Sequence, residues 1–273
     1  MTRLNLHKIN KNFVVISSYN NDLHWVVSKL EDYFLYERGT QDVSKYGITV
    51  EKYQRTPNVG YNIYDYLTFI IENYAQLPPC ILFMKGNLVP RHVSMEYFDK
   101  ISNNNYFTPI IEPSKHDTTW PVCGMLSDTQ YAEYNNSWYL SHFPVCYFQS
   151  LNEFLQFCFL NPVLPRYVTF APGANYVVPR ENLLRLPKVF YQNLRTFISY
   201  ASLPGEAHII ERALSTIFTS NYEVSPAMMV PIEGGPLPFV MQCRSRNWRI
   251  IMDSIEFKVL SLFHKTLRKI HVW

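Results

Sequence analysis

The stretch NVGYNIYDYLTFIIENYAQLPPCILFMKGN, residues 58–87, contains one helix and one strand back to back. Ile63, Tyr66, Leu67, Ile70, Ile71 and Tyr74 recur at the three-and-four spacing of a stripe that faces a core. Asn62, Asp65, Glu72, Asn73 and Gln76 fall mostly off that stripe. Pro78 and Pro79 stop the helix, because proline has no N–H to donate. Cys80–Met84 is apolar throughout, as in a strand buried on both faces, and Lys85-Gly86-Asn87 marks its exit.

Upstream, Phe13–Ser18 reads as another buried strand, running into the polar loop Tyr19-Asn20-Asn21-Asp22. Asp22 is placed to cap a helix reaching Leu30, with Trp25, Val26 and Leu30 as its apolar positions. Ile48–Glu51 is a candidate second strand. Strand, helix, strand, helix, strand predicts an α/β fold with a mostly parallel central sheet flanked by helices. Ligands bind such sheets outside the carboxyl ends of the strands, so Ser17–Asp22 and Lys85–His92 are expected around one crevice.

Downstream, residues 102–150 show little periodicity and read as a long loop region or insertion. Order resumes in a second half, 165–222. There Tyr167–Phe170 and Asn175–Val178 flank a turn at Ala171–Ala174. Pro187 opens a helix carrying Phe190, Leu194, Phe197 and Ala201 on one face, and Pro204-Gly205 breaks it. A further helix turns Ile210, Ala213, Leu214 and Ile217 inward, while His208, Glu211, Arg212 and Ser215 share its other face.

The 273 residues are 47% hydrophobic and 17% charged, which argues against disorder. Seven of the 25 Lys/Arg but only two of the 22 Asp/Glu lie in residues 244–273, so this segment carries all the excess positive charge. That confinement excludes a broad nucleic-acid surface. The expected layout is one domain over 1–243 followed by a basic amphipathic helix over 244–273. This helix packs on the sheet or lies against an anionic membrane as a peripheral contact. Five scattered cysteines without a CxxC pair, no signal-like N-terminus and no long apolar run point to a cytoplasmic chain.

Four segments in order carry a resemblance. They are Tyr19-Asn20-Asn21-Asp22-Leu23-His24-Trp25; Asn58-Val59-Gly60 through Tyr66-Leu67 to Leu77-Pro78; Phe83-Met84-Lys85-Gly86; and Pro172-Gly173-Ala174-Asn175-Tyr176 through Arg180-Glu181 and Pro187–Tyr191 to Glu211-Arg212. Over roughly 13–90 and 168–220 the chain resembles an uncharacterised family of fungal and bacterial proteins of glycosyltransferase-like character. It departs from that family in having Asn62 where many members have a Glu.

The resemblance implies a GT-A-like fold with a Rossmann-like nucleotide-binding half over 13–100. It also implies transfer of a sugar from a nucleotide-sugar to a surface or capsular polysaccharide or a glycolipid. Tyr19, Asn20 and Asp22 would then hold the nucleotide, and Gly173 and Asn175 would shape the acceptor side. No Asp-x-Asp occurs to hold Mn²⁺ or Mg²⁺ on the diphosphate, so Lys85 and Arg91 are the expected counter-charges. Divalent metal dependence stays open, although His92, Asp99, His116 and Asp117 follow no ligand spacing. An inverting reaction needs a proton acceptor. Glu211 is the expected base, with His208 one turn before it and Glu206 as alternatives. The rival readings are a non-catalytic carbohydrate-binding protein on the same fold and a transferase of another nucleotide-activated group.

Overall fold

A computed structural model of the chain describes residues 12–115, 122–127 and 130–232. The basic segment 244–273, together with His116 and Asp117, lies outside the described residues.

Three largely apolar strands and one short polar strand start the fold. β1 (Phe13–Ser18) leads through α1 (His24–Lys29) to β2 (Tyr33–Glu37) and then to the short β3 (Tyr53–Arg55). The amphipathic stripe forms α2 (Tyr61–Glu72), which returns the chain to β4 (Cys80–Lys85). These four strands pair in parallel in the order β3-β2-β1-β4. After β4 come α3 (Leu88–Arg91), α4 (Met95–Ile101) and the two-residue β5 (Thr108–Pro109). β6 (Val122–Ser127), β7 (Gln130–Tyr134), α5 (Leu151–Cys158) and β8 (Tyr167–Thr169) follow. The described chain then continues through β9 (Tyr176–Pro179), α6 (Arg180–Leu184), α7 (Lys188–Ile198) and α8 (Gly205–Thr219). β9 runs antiparallel to β4 and carries β5 on its far side, completing six mostly parallel strands. β6, β7 and β8 form a separate antiparallel sheet.

The period-two alternation of strand side chains divides the core. Val14, Ile16, Leu35, Leu82 and Met84 point to the face where Leu23, Val26, Leu30 and Phe98 pack. Val15, Tyr36, Ile81, Phe83 and Tyr176 point to the opposite face, under α2, α7 and α8. Helices on both faces explain why β1 and β4 read as unbroken apolar runs.

Several expectations need correction. The second strand is Tyr33–Glu37 rather than Ile48–Glu51. Val50–Lys52 is instead a 3₁₀ turn, with Val50 72% exposed. Asp22 does not sit at the helix N-cap. It precedes Leu23, and its carboxylate accepts the His24 N–H at 3.0 Å. The region 102–150 contains β5, β6 and β7, so it is not simply a loop. The turn at Ala171–Ala174 is present, with the Ala174 N–H donating to the Ala171 carbonyl at 2.9 Å, but it joins strands of different sheets.

Phe83 tests the shared core. It is 1% exposed and lies 5.1 Å from the Tyr66 ring and 6.4 Å from that of Phe69. Phe83→Ala is expected to cost about 3–5 kcal/mol in urea unfolding. Val50→Ala should stay within about 0.5 kcal/mol of wild type. Similar losses for the two variants would contradict this packing.

Candidate functional site

β1 lies between β2 and β4, so the connections leaving its two sides diverge at its carboxyl end. Such a switch point leaves a crevice between the loops. Ser17 and Lys85 are register partners there, and the Gly86 N–H donates to the Ser17 carbonyl at 2.8 Å. The segments after β1, β2, β3 and β4, with Ser202 and Leu203 between α7 and α8, surround a cleft of about 390 Å³. Its charged lining is Arg38, Lys85 and Arg91, accompanied by Tyr19, Tyr61, Ser17 and the amides of Asn21, Asn58 and Asn87. No carboxylate lines it.

Arg38 follows β2 directly and is fixed from below. Its Nε lies 3.2 Å from Oδ2 of Asp65, a fully buried residue of α2. Asp65 also accepts hydrogen bonds from Ser17 Oγ (2.5 Å) and Thr56 Oγ1 (2.7 Å). Burial pushes the Asp65 carboxyl up to about 6, even though Arg38 and the two hydroxyls pull it down. Above the pair, the Arg38 guanidinium stands 5.8 Å from the ring centres of both Tyr19 and Tyr61. Its Nη1 donates to Asn58 Oδ1 at 3.3 Å.

Lys85, at the end of β4, places Nζ 4.8 Å over the face of Tyr61. Burial pushes this amine down to about 8, with Arg91 and Arg38 adding to the effect and Glu211 opposing it. Tyr61 opens α2 with a positive φ of 59°, next to Gly60 at 63°. Such backbone is uncommon for a bulky residue.

Two expected nucleotide residues face elsewhere. Asn20 Oδ1 accepts the N–H groups of Thr40 and Gln41, both at 2.9 Å, which turns it towards the loop after β2. That loop approaches so closely that a Cβ on Gly39 would lie 2.2 Å from Asn20 Oδ1. The fully buried Glu37 joins the same two loops, accepting from Ser18 Oγ (2.6 Å), Asn20 N (3.0 Å) and Gly39 N (2.6 Å). The Asp22 side chain is 77% exposed and pairs with His24 at 2.7 Å. Tyr19, Lys85 and Arg91 do reach the cleft.

Gly173 and Asn175 form a bracket behind it. Asn175 is fully buried; its Oδ1 accepts the Lys85 N–H at 3.0 Å, and its Nδ2 donates to the Pro172 carbonyl at 3.2 Å. Gly173, at φ 86°, donates its N–H to Glu211 Oε1 at 2.7 Å and accepts from Asn62 Nδ2 at 3.0 Å. Asn62, Lys85, Gly173, Asn175 and Glu211 thus meet across 149 residues of chain.

Glu211 belongs to a chain of charges on α8. Arg212 makes two parallel bonds to Glu133, 2.9 and 2.8 Å, and donates from Nη1 to Glu211 Oε2 at 3.2 Å. Burial pushes the Glu211 carboxyl up, but the His208 contact and the charges of Arg212 and Lys85 prevail and hold it at about 2. His208 Nδ1 lies 3.7 Å from Glu211 Oε2. The imidazole stacks 4.2 Å from Phe143 and lies tilted 5.9 Å from the Tyr61 ring, and its buried Nε2 has no hydrogen-bond partner among the described residues. Glu206 is fully buried, accepting the N–H groups of Cys146 (2.7 Å) and Tyr147 (2.6 Å) and the Tyr200 hydroxyl. Asp99 pairs with Lys29 at 2.8 Å. Among the described residues no three His, Cys, Asp or Glu side chains gather as a metal-holding group. Nor is any described helix long and apolar enough to cross a membrane.

Sequence reasoning gave no site role to Arg38 or Asp65: Asp65 was placed off the core stripe of the predicted helix, and Arg38 follows a strand that was not predicted. Arg38→Met is expected to cost about 3–5 kcal/mol at pH 8, because it leaves the Asp65 carboxylate buried without a cation. A carboxyl raised in the folded state penalises folding only above its unfolded value, and the penalty grows until pH passes the folded value. Losing Arg38 raises that folded value beyond about 6, so the deficit should shrink at pH 5. Urea titrations at the two pH values measure this, and equal deficits would show that the ion pair is not the cause.

Residues 13–106 match the model of a family described as a protein of unknown function (DUF3431). No curated protein and no solved structure matches the chain. The match takes in Tyr19, Arg38, Asp65, Lys85 and Arg91 but not the bracket or α8, and its description carries no activity. The matched residues include nine of the eleven that line the cleft, all but Ser202 and Leu203.

Proposed function

We propose that the cleft binds the diphosphate of a nucleotide-sugar, and that the protein is a GT-A-like glycosyltransferase extending a surface polysaccharide or glycolipid. The observation that carries this reading is the lining: three cations and several amides, with no carboxylate, at the switch point of a parallel sheet. Arg38, Lys85 and Arg91 would neutralise the negative charge that grows on the leaving diphosphate. Tyr19, half exposed at the mouth, offers a face on which a base can stack.

The base assignment moves. A carboxyl held at about 2, bonded to Gly173 and Arg212, accepts protons poorly. His208 takes the acceptor's proton in this reading, and Glu211 orients its ring. The same low value favours the second reading, a carbohydrate-binding protein without catalysis.

A thermal-shift panel of nucleotides, nucleotide-sugars and glycans, run with Mn²⁺, Mg²⁺ and EDTA, separates the two. A donor at a hundred times its Kd should stabilise the protein by about 2.7 kcal/mol. Response to glycans alone would reject the transferase and favour the binding protein. Lys85→Gln should weaken nucleotide binding about ten- to hundredfold, the worth of one charge-assisted contact. For the wild type, affinity should fall as pH rises through about 8, where Lys85 loses its proton. Lys85→Arg should flatten that dependence in calorimetric titrations at pH 7 and pH 9.

A further inference from the structure

The three cations of the cleft differ in what they touch. Arg38 is held by Asp65, and Arg91 stands exposed on α3. Lys85 Nζ has neither a hydrogen bond nor an ion pair among the described residues, and its close neighbour is the face of Tyr61. The charged groups acting on it are Arg38 from the loop after β2, Arg91 from α3 and Glu211 from α8. An amine partly desolvated beside other cations gives up its proton more readily, and a neutral amine is a nucleophile. Burial and the two arginines both act in that direction here.

We propose that Lys85 is a carbonyl-capturing amine and that the cleft holds small phosphorylated aldehydes or ketones as a reversible imine on its Nζ. The proposal rests on the anion-binding reading of the cleft but needs no glycosyl transfer. The neutral amine attacks the carbonyl carbon, forming a C–N bond, and the carbonyl π pair moves to oxygen, which takes a proton. The nitrogen then loses its protons as the C–OH bond breaks and water leaves, so amine plus carbonyl gives imine plus water. No oxidant or reductant is needed. Arg38 and Arg91 lie where they would receive the phosphate. A captured carbonyl would exclude other phosphate ligands from the same cleft.

Pyridoxal 5′-phosphate is a suitable probe because it joins an aldehyde to a phosphate. The full chain is incubated with it, reduced with borohydride and mapped by peptide mass spectrometry. Lys45 is the internal control, since its Nζ also lies 4.8 Å over a tyrosine ring, that of Tyr46, but it is exposed. Lys85 is expected to gain the phosphopyridoxyl group at least about tenfold faster than Lys45, with a pH midpoint near 8. Pyridoxal, which lacks the phosphate, should label it at least about tenfold more slowly, and inorganic pyrophosphate should protect it. Lys85→Arg should remove the label while leaving the urea midpoint unchanged. Labelling of Lys85 no faster than Lys45, or indifferent to the phosphate, overturns the proposal. If nucleotide-sugars fail to bind while Lys85 is still labelled, only the donor reading falls; if they bind and Lys85 is not preferred, only this inference falls.

Discussion

Asp65 binds three separate pieces of chain to one buried point. Ser17 at the tip of β1, Arg38 just past β2 and Thr56 just past β3 all converge on its two oxygens, and α2 supplies the carboxylate. A lone carboxylate at 0% exposure would be too costly to keep ionised, and its raised value of about 6 registers that cost. Near neutral pH the ion pair and two hydroxyl donors offset it. The tips of the parallel strands are therefore held at a fixed spacing by polar contacts, in addition to ladder hydrogen bonds. The floor of the cleft is in this sense a by-product of satisfying one acid.

The same arrangement divides charge across the cleft wall. On the open side Arg38, Lys85 and Arg91 stand without lining carboxylates, whereas behind Tyr61 Arg212 pairs with both Glu133 and Glu211, and His208 lies beside Glu211. Lys85 lies at the boundary, with burial and two arginines lowering its proton affinity and Glu211 raising it. The Gly173–Asn175 bracket holds that boundary. It joins the Lys85 backbone to the N–H that Glu211 accepts, so movement of α8 would reach the β4 tip through two hydrogen bonds.

How much of this was legible follows from the range of each signal. β1, β4 and α2 were readable because local periodicity specifies them, and the adjacency of the first and fourth strands followed from α/β alternation. β2 was missed because Tyr33–Glu37 mixes aromatics with a terminal acid that looks solvent-facing, although Glu37 is fully buried. Asp65 was assigned to the polar side of α2 for the same reason, since a helical wheel takes a charge to face water. Its partners lie 9, 27 and 48 residues away, beyond any local pattern. Asn20 was placed on the correct loop but facing the wrong way, because spacing gives a residue's position and not the direction of its side chain.

The lining also constrains what can occupy the cleft. With three cations and no anion among its walls, an empty cleft gathers solvent and counter-ions that any ligand must displace. A neutral sugar would leave Lys85 and Arg91 without anionic partners, whereas a monoanion would answer only one of them. A group with two or more negative charges a few ångströms apart would answer both, while Arg38, paired through its Nε with Asp65 below, adds its guanidinium to the same wall. The amides of Asn21, Asn58 and Asn87 then remain for polar, uncharged recognition. Under the proposed reading charge and amide would serve different parts of one ligand, a molecule with a compact polyanionic centre and hydroxyl- or carbonyl-rich ends rather than a glycan alone.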